Sequence, residues 1–256
     1  MSVTQFDLTK YLDDLLQKEL IKDYCPNGLQ IDSHNKTINK LISGVTASES
    51  LINQAIKEDA DALVVHHGLF FKGEPQTITS WKFKRIEKLI KHNISLYAYH
   101  LPLDVHPIYG NNVQLAKELN LNITGTFETG TQPALGLTTE VTSSIKLNTL
   151  AERIESSLLK KPLVIQSDYI PNSIKHIGIC TGGAQDFISY AKNAQLDVYI
   201  SGEISERTTH LARELGIHYI AAGHHATERY GIKALGEHIA QFFNLEHKFI
   251  DIDNPV

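Results

Sequence analysis

Two stretches of the chain decide its fold: Asp61-Ala-Leu-Val-Val-His-His67 and Asp197-Val-Tyr-Ile-Ser-Gly-Glu203. Each opens on Asp, runs through a short apolar segment and breaks off in residues that can bind or react. A continuous apolar run of this length predicts a strand covered on both faces, as in parallel sheets. Upstream of the first, Gly44-Val-Thr-Ala-Ser48 leads out of a predicted strand over 38–45 and into a helix to Asp59 capped by Ser48. Gly178-Ile-Cys-Thr-Gly-Gly183 does the same upstream of the second, after a strand over 176–180 and before a helix over 184–192. Both series then continue with a helix (81–92; 205–215) and a strand. One strand, 94–99, runs into His100, and the other, 217–221, ends just before Gly223-His224.

Strands alternating with helices predict an α/β architecture with largely parallel strands. The doubled pattern predicts two similar α/β halves related by pseudo-twofold symmetry, with a dinuclear metal site between them. The expected organisation is a first half over 1–123, a connecting segment with a hairpin and a helix over 124–170, and a second half over 171–256. An amphipathic helix over 6–20 precedes the first half, a helix over 111–119 closes it, and a helix over 227–243 and a strand over 247–252 end the chain. The connecting segment is rich in Thr, Gly and Gln, and its alternation at Leu135-Gly-Leu-Thr-Thr-Glu-Val141 suggests antiparallel pairing.

The chemistry sits where these strands end. His66-His67 takes the place that Gly202-Glu203 takes in the second series. His100 and Asp104, then His224 and Glu228, repeat one His-x-x-x-carboxylate spacing. Residues four apart share a face if the segment is helical, which suits His224 and Glu228 at the start of a predicted helix. Pro102 argues for a loop between His100 and Asp104. Strand C-terminal ends are where open α/β sheets bind ligands. Neutral imidazole and carboxylate together suit Zn, Fe, Mn, Co or Ni, and the absence of clustered thiolates disfavours structural zinc. So many donors exceed the needs of one open catalytic ion and fit two ions about 3.5–4 Å apart, which acidify a water between them. Glu203 reads equally as a general base, a partner for a ligating His, or an exposed loop carboxylate. The 178–183 turn could cradle an anion, but it matches no phosphate-loop pattern and reads better as a tight structural turn. His225, Thr227 and Arg229 flank the second site, His106 is assigned to the surface, and Cys180 to the core.

Composition bounds the rest. The 256 residues, 42% hydrophobic and 21% charged, suffice for a sizeable core without disulfides. A net charge of −5 gives no basic footprint for nucleic acid. Cys25 and Cys180, single and distant, suit a reducing cytosol. The polar start of the chain does not look like a signal peptide, and no apolar run approaches the roughly 20 residues of a membrane span. The expectation is a soluble, cytoplasmic protein acting on a small molecule, with neither membrane nor nucleic acid as partner. Thirteen histidines are present, and those outside the repeated pattern, such as His34, His92, His176, His210, His238 and His247, are read as ordinary surface or partly buried residues.

The blocks Asn27-Gly-Leu-Gln30, Val65-His-His-Gly68, His100-Leu-Pro-Leu-Asp104, Gly110-Asn-Asn112, Ser201-Gly-Glu203 and Gly223-His-His-Ala-Thr-Glu228 resemble those of the GTP cyclohydrolase 1 type 2 homologues, also called the NGG-one-interacting-factor-three-like family. The resemblance runs from the first helix to the last strand and is to the short form of the family. It implies a homohexameric ring with two divalent metal ions per subunit. The implied ligands are His66, His67, Asp104, His224 and Glu228, with one of the paired His on each ion and Glu228 bridging. His100 matches a histidine near the metals that is not a usual ligand, and the family's common Thr after it is Leu101 here. With Glu203, His100 is a candidate catalytic residue. The implied activity is a metal-dependent hydrolase, GTP cyclohydrolase-like, opening a purine-nucleotide ring with metal-bound hydroxide. A metal-dependent phosphoesterase and a non-enzymatic metal-binding scaffold or regulator are the alternatives.

Overall fold

The computed structural model describes residues 2–34 and 36–256. In chain order its first elements are β1 (Val3–Thr4), α1 (Gln5–Leu15), β2 (Gly28–Ile31), β3 (Thr37–Ile38), β4 (Lys40–Thr46) and α2 (Glu49–Lys57). Next come β5 (Ala62–His67), α3 (Ser80–Lys91), β6 (Ser95–Ala98) and α4 (Leu101–Asp104). After Tyr109 follow α5 (Asn111–Glu118), β7 (Asn122–Phe127), β8 (Gly136–Ile145), α6 (Leu147–Leu158) and β9 (Leu163–Ile165). The last are β10 (Ile174–Cys180), α7 (Ile188–Asn193), β11 (Val198–Ser201), α8 (Glu206–Leu215), β12 (His218–Ala221), α9 (His224–Phe243) and β13 (Glu246–Phe249).

The chain forms two compact units. One comprises residues 1–109 and 232–253, the other 110–231 and 254–256, so a unit boundary falls inside α9. The first unit holds a five-stranded sheet ordered β13-β4-β5-β6-β2, the second a six-stranded sheet ordered β7-β8-β10-β11-β12-β9. Each has three adjacent parallel strands at its centre, β4-β5-β6 and β10-β11-β12. Each adds an antiparallel strand beyond the third, β2 beside β6 and β9 beside β12. Residues 124–170, read from sequence as a connector, supply β8 and β9 and most of β7, and all three strands pair within the second sheet. The β7–β8 hairpin expected there forms, but its partner β10 makes it part of the sheet. The apolar alternation of β8 explains this: Leu137 and Val141 are buried with Ile177, Ile179 and Leu150 in one core cluster.

The two Asp residues that begin the decisive stretches do the same work in each unit. Asp61 Oδ2 accepts the backbone N–H groups of Asn39 and Lys40, at 2.7 and 3.0 Å. Asp197 Oδ2 accepts those of Lys175 and His176, both at 2.8 Å. Each carboxylate thus ties the start of its strand to the start of the preceding one and sets the parallel register. Hydrogen bonds to a charged acceptor are worth about 2 kcal/mol. Asp197→Ala is therefore expected to lower unfolding stability by about that amount, read as a reduced denaturant midpoint with an unchanged slope; an unchanged midpoint would deny the clip any role.

Local chemistry sets the helix limits. Ser48 Oγ caps α2 by accepting the Leu51 N–H at 3.2 Å. The first helix ends at Leu15 instead of Leu20, since Gln17 takes a left-handed conformation with φ of 49°. Pro102 does not hold His100 to Asp104 in a loop: it sits in the first turn of α4, where a missing N–H costs nothing. Among the described residues no helix is long and apolar enough to cross a membrane.

Candidate metal centre

In the first unit, His66 and His67 end β5, flanked in the sheet by β4 and β6. The His66 side chain is fully buried, and its Nδ1 lies 3.0 Å from the carbonyl of Tyr99. A carbonyl only accepts, so Nδ1 carries the proton and Nε2 keeps its lone pair, 3.7 Å from Asp104 Oδ1. His67 Nδ1 is 3.1 Å from Thr46 Oγ1 on the neighbouring strand. His100 follows β6 and brings its ring to centroid distances of 5.0 and 5.7 Å from His66 and His67. One ring nitrogen from each of these three lies within 4.8 Å of the other two, close enough to share an ion. The one-turn helix α4 then carries Asp104 back to His66.

His100 is held from behind by a group that the sequence did not point to. Its Nδ1 is 3.0 Å from Asp23 Oδ1, and its backbone N–H reaches Asn27 Oδ1 at 2.7 Å. Burial works against ionisation of Asp23, but the His100 ring, the Asn27 amide and the Leu101 N–H outweigh it and hold the carboxyl well below the usual range. Asp23 and His100 lie 77 positions apart and follow no shared spacing. Cys25 completes a second overlapping group with Asp23 and His100. Burial and the Asp23 charge push its thiol up, which makes it a poor thiolate donor at neutral pH.

In the second unit, α9 starts at His224, three residues earlier than its pattern predicts. Its first turn puts Nε2 of His224 3.1 Å from Oε2 of Glu228, while Nδ1 lies 2.7 Å from Oε1 of Glu203. Glu228 is 3% exposed. Burial opposes protonation of His224, yet the two carboxylates prevail and raise its pKa to about 9. Glu203 thus faces His224, with its side chain 39% exposed.

The 178–183 turn supports this pair. Gly182 has φ of +67°, and a Cβ there would overlap Glu228 Oε1 and lie 3.1 Å from His224 Nε2. Its N–H donates to Thr227 Oγ1 at 3.1 Å, and the Thr181 N–H to Asn112 Oδ1 at 2.9 Å. Those amides are used internally, so the turn is structural, as favoured from sequence. A Cβ on Gly202 would come within 2.6 Å of the Gly182 carbonyl and of His224 Cα. Small residues at both positions let two loops close on the start of α9.

His106, assigned to the surface from sequence, is buried instead: its Nδ1 accepts the N–H groups of Ile108 and Tyr109, and burial lowers its pKa. His238 is partly buried, one of the two placements expected for it, and bonds Tyr11 and Tyr109 through its two ring nitrogens at 2.6 and 2.7 Å. His225 is buried. Cys180 is in the core, as expected.

The donor chemistry fits divalent transition metals. Imidazole nitrogens and carboxylate oxygens make up both half-sets, two of the rings have their second nitrogen fixed by an oxygen acceptor, and a carboxylate is buried against an imidazole lone-pair position. Glu203→Gln replaces the acceptor behind His224. It is expected to weaken metal affinity about 10–100-fold, read by competition with a chromophoric chelator; undiminished affinity would show that Glu203 does not support the ligand.

A family model described as Duf34/NIF3 (NGG1p interacting factor 3) matches residues 3–255. The chain is 52% identical over 252 residues to a Pasteurella multocida protein named GTP cyclohydrolase 1 type 2 homolog, covering 97% of this chain and 98% of that one. Among solved structures, one described as protein ybgI of unknown function superposes with a TM-score of 0.94 at 42% identity, covering 99% of this chain and all of that one. TTHA1606 from Thermus thermophilus superposes with a TM-score of 0.87 at 30% identity, covering 99% and 100%.

Proposed function

The chain belongs to the Duf34/NIF3 family, and from that premise we propose that it is a metal-dependent hydrolase. In this reading His66, His67, Asp104, His224 and Glu228 hold two divalent ions, with Glu228 shared by both. A pair of such ions, when bound, supplies Lewis acidity and acidifies a coordinated water.

The protein's own groups do the rest. Tyr99 and Glu203 hold the rings of His66 and His224 by their Nδ1–H groups, leaving each Nε2 to face the centre. Burial of Glu228 and His66 keeps bulk water from competing with them. His100 borders the cluster with its ring tilted against those of His66 and His67. The name borne by the relatives carries the substrate class: a purine nucleotide such as GTP, whose five-membered base ring is opened by water.

The observation that carries this proposal is the buried Glu228 carboxylate facing the His224 imidazole over a turn that leaves no room for a Cβ. That arrangement supplies a nitrogen and a carboxylate oxygen as donors for a small ion. The test is a substrate panel offered to protein reconstituted with Mn, Zn or Fe and scored for both base-ring opening and phosphate release. Turnover of a purine nucleotide with ring opening supports the proposal. Phosphate release alone makes the protein a phosphoesterase, and fully loaded protein without turnover makes it a metal-dependent scaffold.

A further inference from the structure

The loop before β2 is organised around one carboxylate. The Asp23 side chain is only 3% exposed, although its neighbour Tyr24 is largely in solvent. Its Oδ2 accepts the Leu101 N–H at 2.9 Å and the Asn27 side-chain amide at 3.0 Å. Its Oδ1 accepts the Tyr24 N–H at 2.6 Å and lies 3.0 Å from His100 Nδ1, which is also 3.3 Å from Oδ2. Asn27, having donated to Asp23, accepts the His100 backbone N–H through its own Oδ1. Ring and backbone of His100 are therefore gripped by the same short loop.

We infer that Asp23 is a positioning residue, which with Asn27 locks His100 in the Nδ1–H tautomer and presents the Nε2 lone pair toward His66 and His67. An ionised carboxylate has only acceptors. The proton of the shared contact must therefore belong to the ring, and the neutral imidazole has its lone pair on Nε2. That nitrogen lies 3.4 Å from Tyr24 Oη on the side away from Asp23. His100 can then accept a hydrogen bond at Nε2 while Nδ1–H stays with Asp23. This is the arrangement by which a buried Asp orients the neutral imidazole of a hydrolytic triad.

Asp23→Asn separates this role from simple packing. The side-chain position now filled by Oδ2 faces two N–H donors, Leu101 and Asn27, against the single Tyr24 N–H at the Oδ1 position, so the amide oxygen of the substitute settles there. Its NH2 group then points at His100 Nδ1, and the ring must turn its proton over to Nε2. Replacing the orienting carboxylate of a triad in this way leaves the geometry intact and costs about 10⁴ in kcat by imposing the wrong tautomer.

The experiment is a long-range proton–nitrogen correlation spectrum of the zinc-loaded full chain labelled at His, with the His100 signals identified by their loss in His100→Gln. The expected wild-type pattern is a protonated Nδ1 and a bare Nε2. Asp23→Asn is expected to show the proton on Nε2 and, on the substrate found by the panel, a fall in kcat of about 10²–10⁴ with KM nearly unchanged. A wild-type ring protonated at Nε2 overturns the inference, and that spectrum decides even if the variant does not fold. A folded variant that keeps the proton on Nδ1, or that flips it without loss of kcat, overturns it equally. The kinetic arm rests on the hydrolase reading; absence of wild-type turnover would reject that reading while the spectra still judge the tautomer.

Discussion

Glu228→Gln is expected to bring bound metal down to background under conditions where the wild-type chain is fully loaded. The substitution is nearly isosteric, so the buried volume beneath the Gly182 turn stays filled and the fold should persist. What changes is the donor set. A carboxylate offers lone pairs on both oxygens, whereas the amide offers one weaker oxygen and an NH2 group that repels a cation. If Glu228 is shared by two ions, both lose a ligand at once. The effect should therefore exceed the roughly 10–100-fold expected for Glu203→Gln, which only withdraws support from His224. Metal analysis after dialysis, paired with a thermal melt of the metal-free variant, checks both halves of this statement. A variant that melts like the metal-free wild type and still binds metal stoichiometrically would remove Glu228 from the ligand set.

Metal uptake is expected to be steeply pH-dependent. In the ion-free protein the pKa of His224 is raised to about 9 by Glu228 and Glu203, which outweigh the opposing effect of burial. The charged ring stabilises the metal-free fold fully below its unfolded pKa of about 6.5. This contribution is lost as pH rises through about 9. A metal must expel that proton, because only the neutral imidazole ligates. Apparent affinity should thus climb about tenfold per pH unit from 7 toward 9 and level off above, with one proton released from each His224 on binding below that point. Calorimetry in buffers of different ionisation enthalpy reads the released proton directly. An affinity that is flat from about pH 7 to 9 would contradict the role given to His224.

The legible part of this molecule was the part that repeats. Asp61 and Asp197 mark equivalent strand starts because each must satisfy the two N–H groups left open at the start of the adjoining strand. The apolar runs after them read as buried strands and are buried strands, with Leu63, Val64, Val65, Val198, Tyr199 and Ile200 in the core. The spacing of His224 and Glu228 was legible for a related reason: a helix places residues four apart in contact, and here they meet at 3.1 Å. Contacts between distant positions left no such trace. Nothing near Asp23 announces that it will hold His100, and nothing near Gly182 announces that it will lie over Glu228. Pro102 misled because a proline inside a motif forbids a helix only beyond its first turn. His106 misled because a histidine's exposure depends on what packs around it, here the Tyr109 ring stacked on it at 5.0 Å between centroids.

The central claim is that His66, His67, Asp104, His224 and Glu228 serve one pair of ions. Elemental analysis of the full chain after reconstitution with excess divalent metal and removal of the unbound ion tests it most directly. The account predicts two equivalents per chain, falling on substitution at His66 or at Glu228. Well under one equivalent per chain, or a content that survives both substitutions, would contradict it.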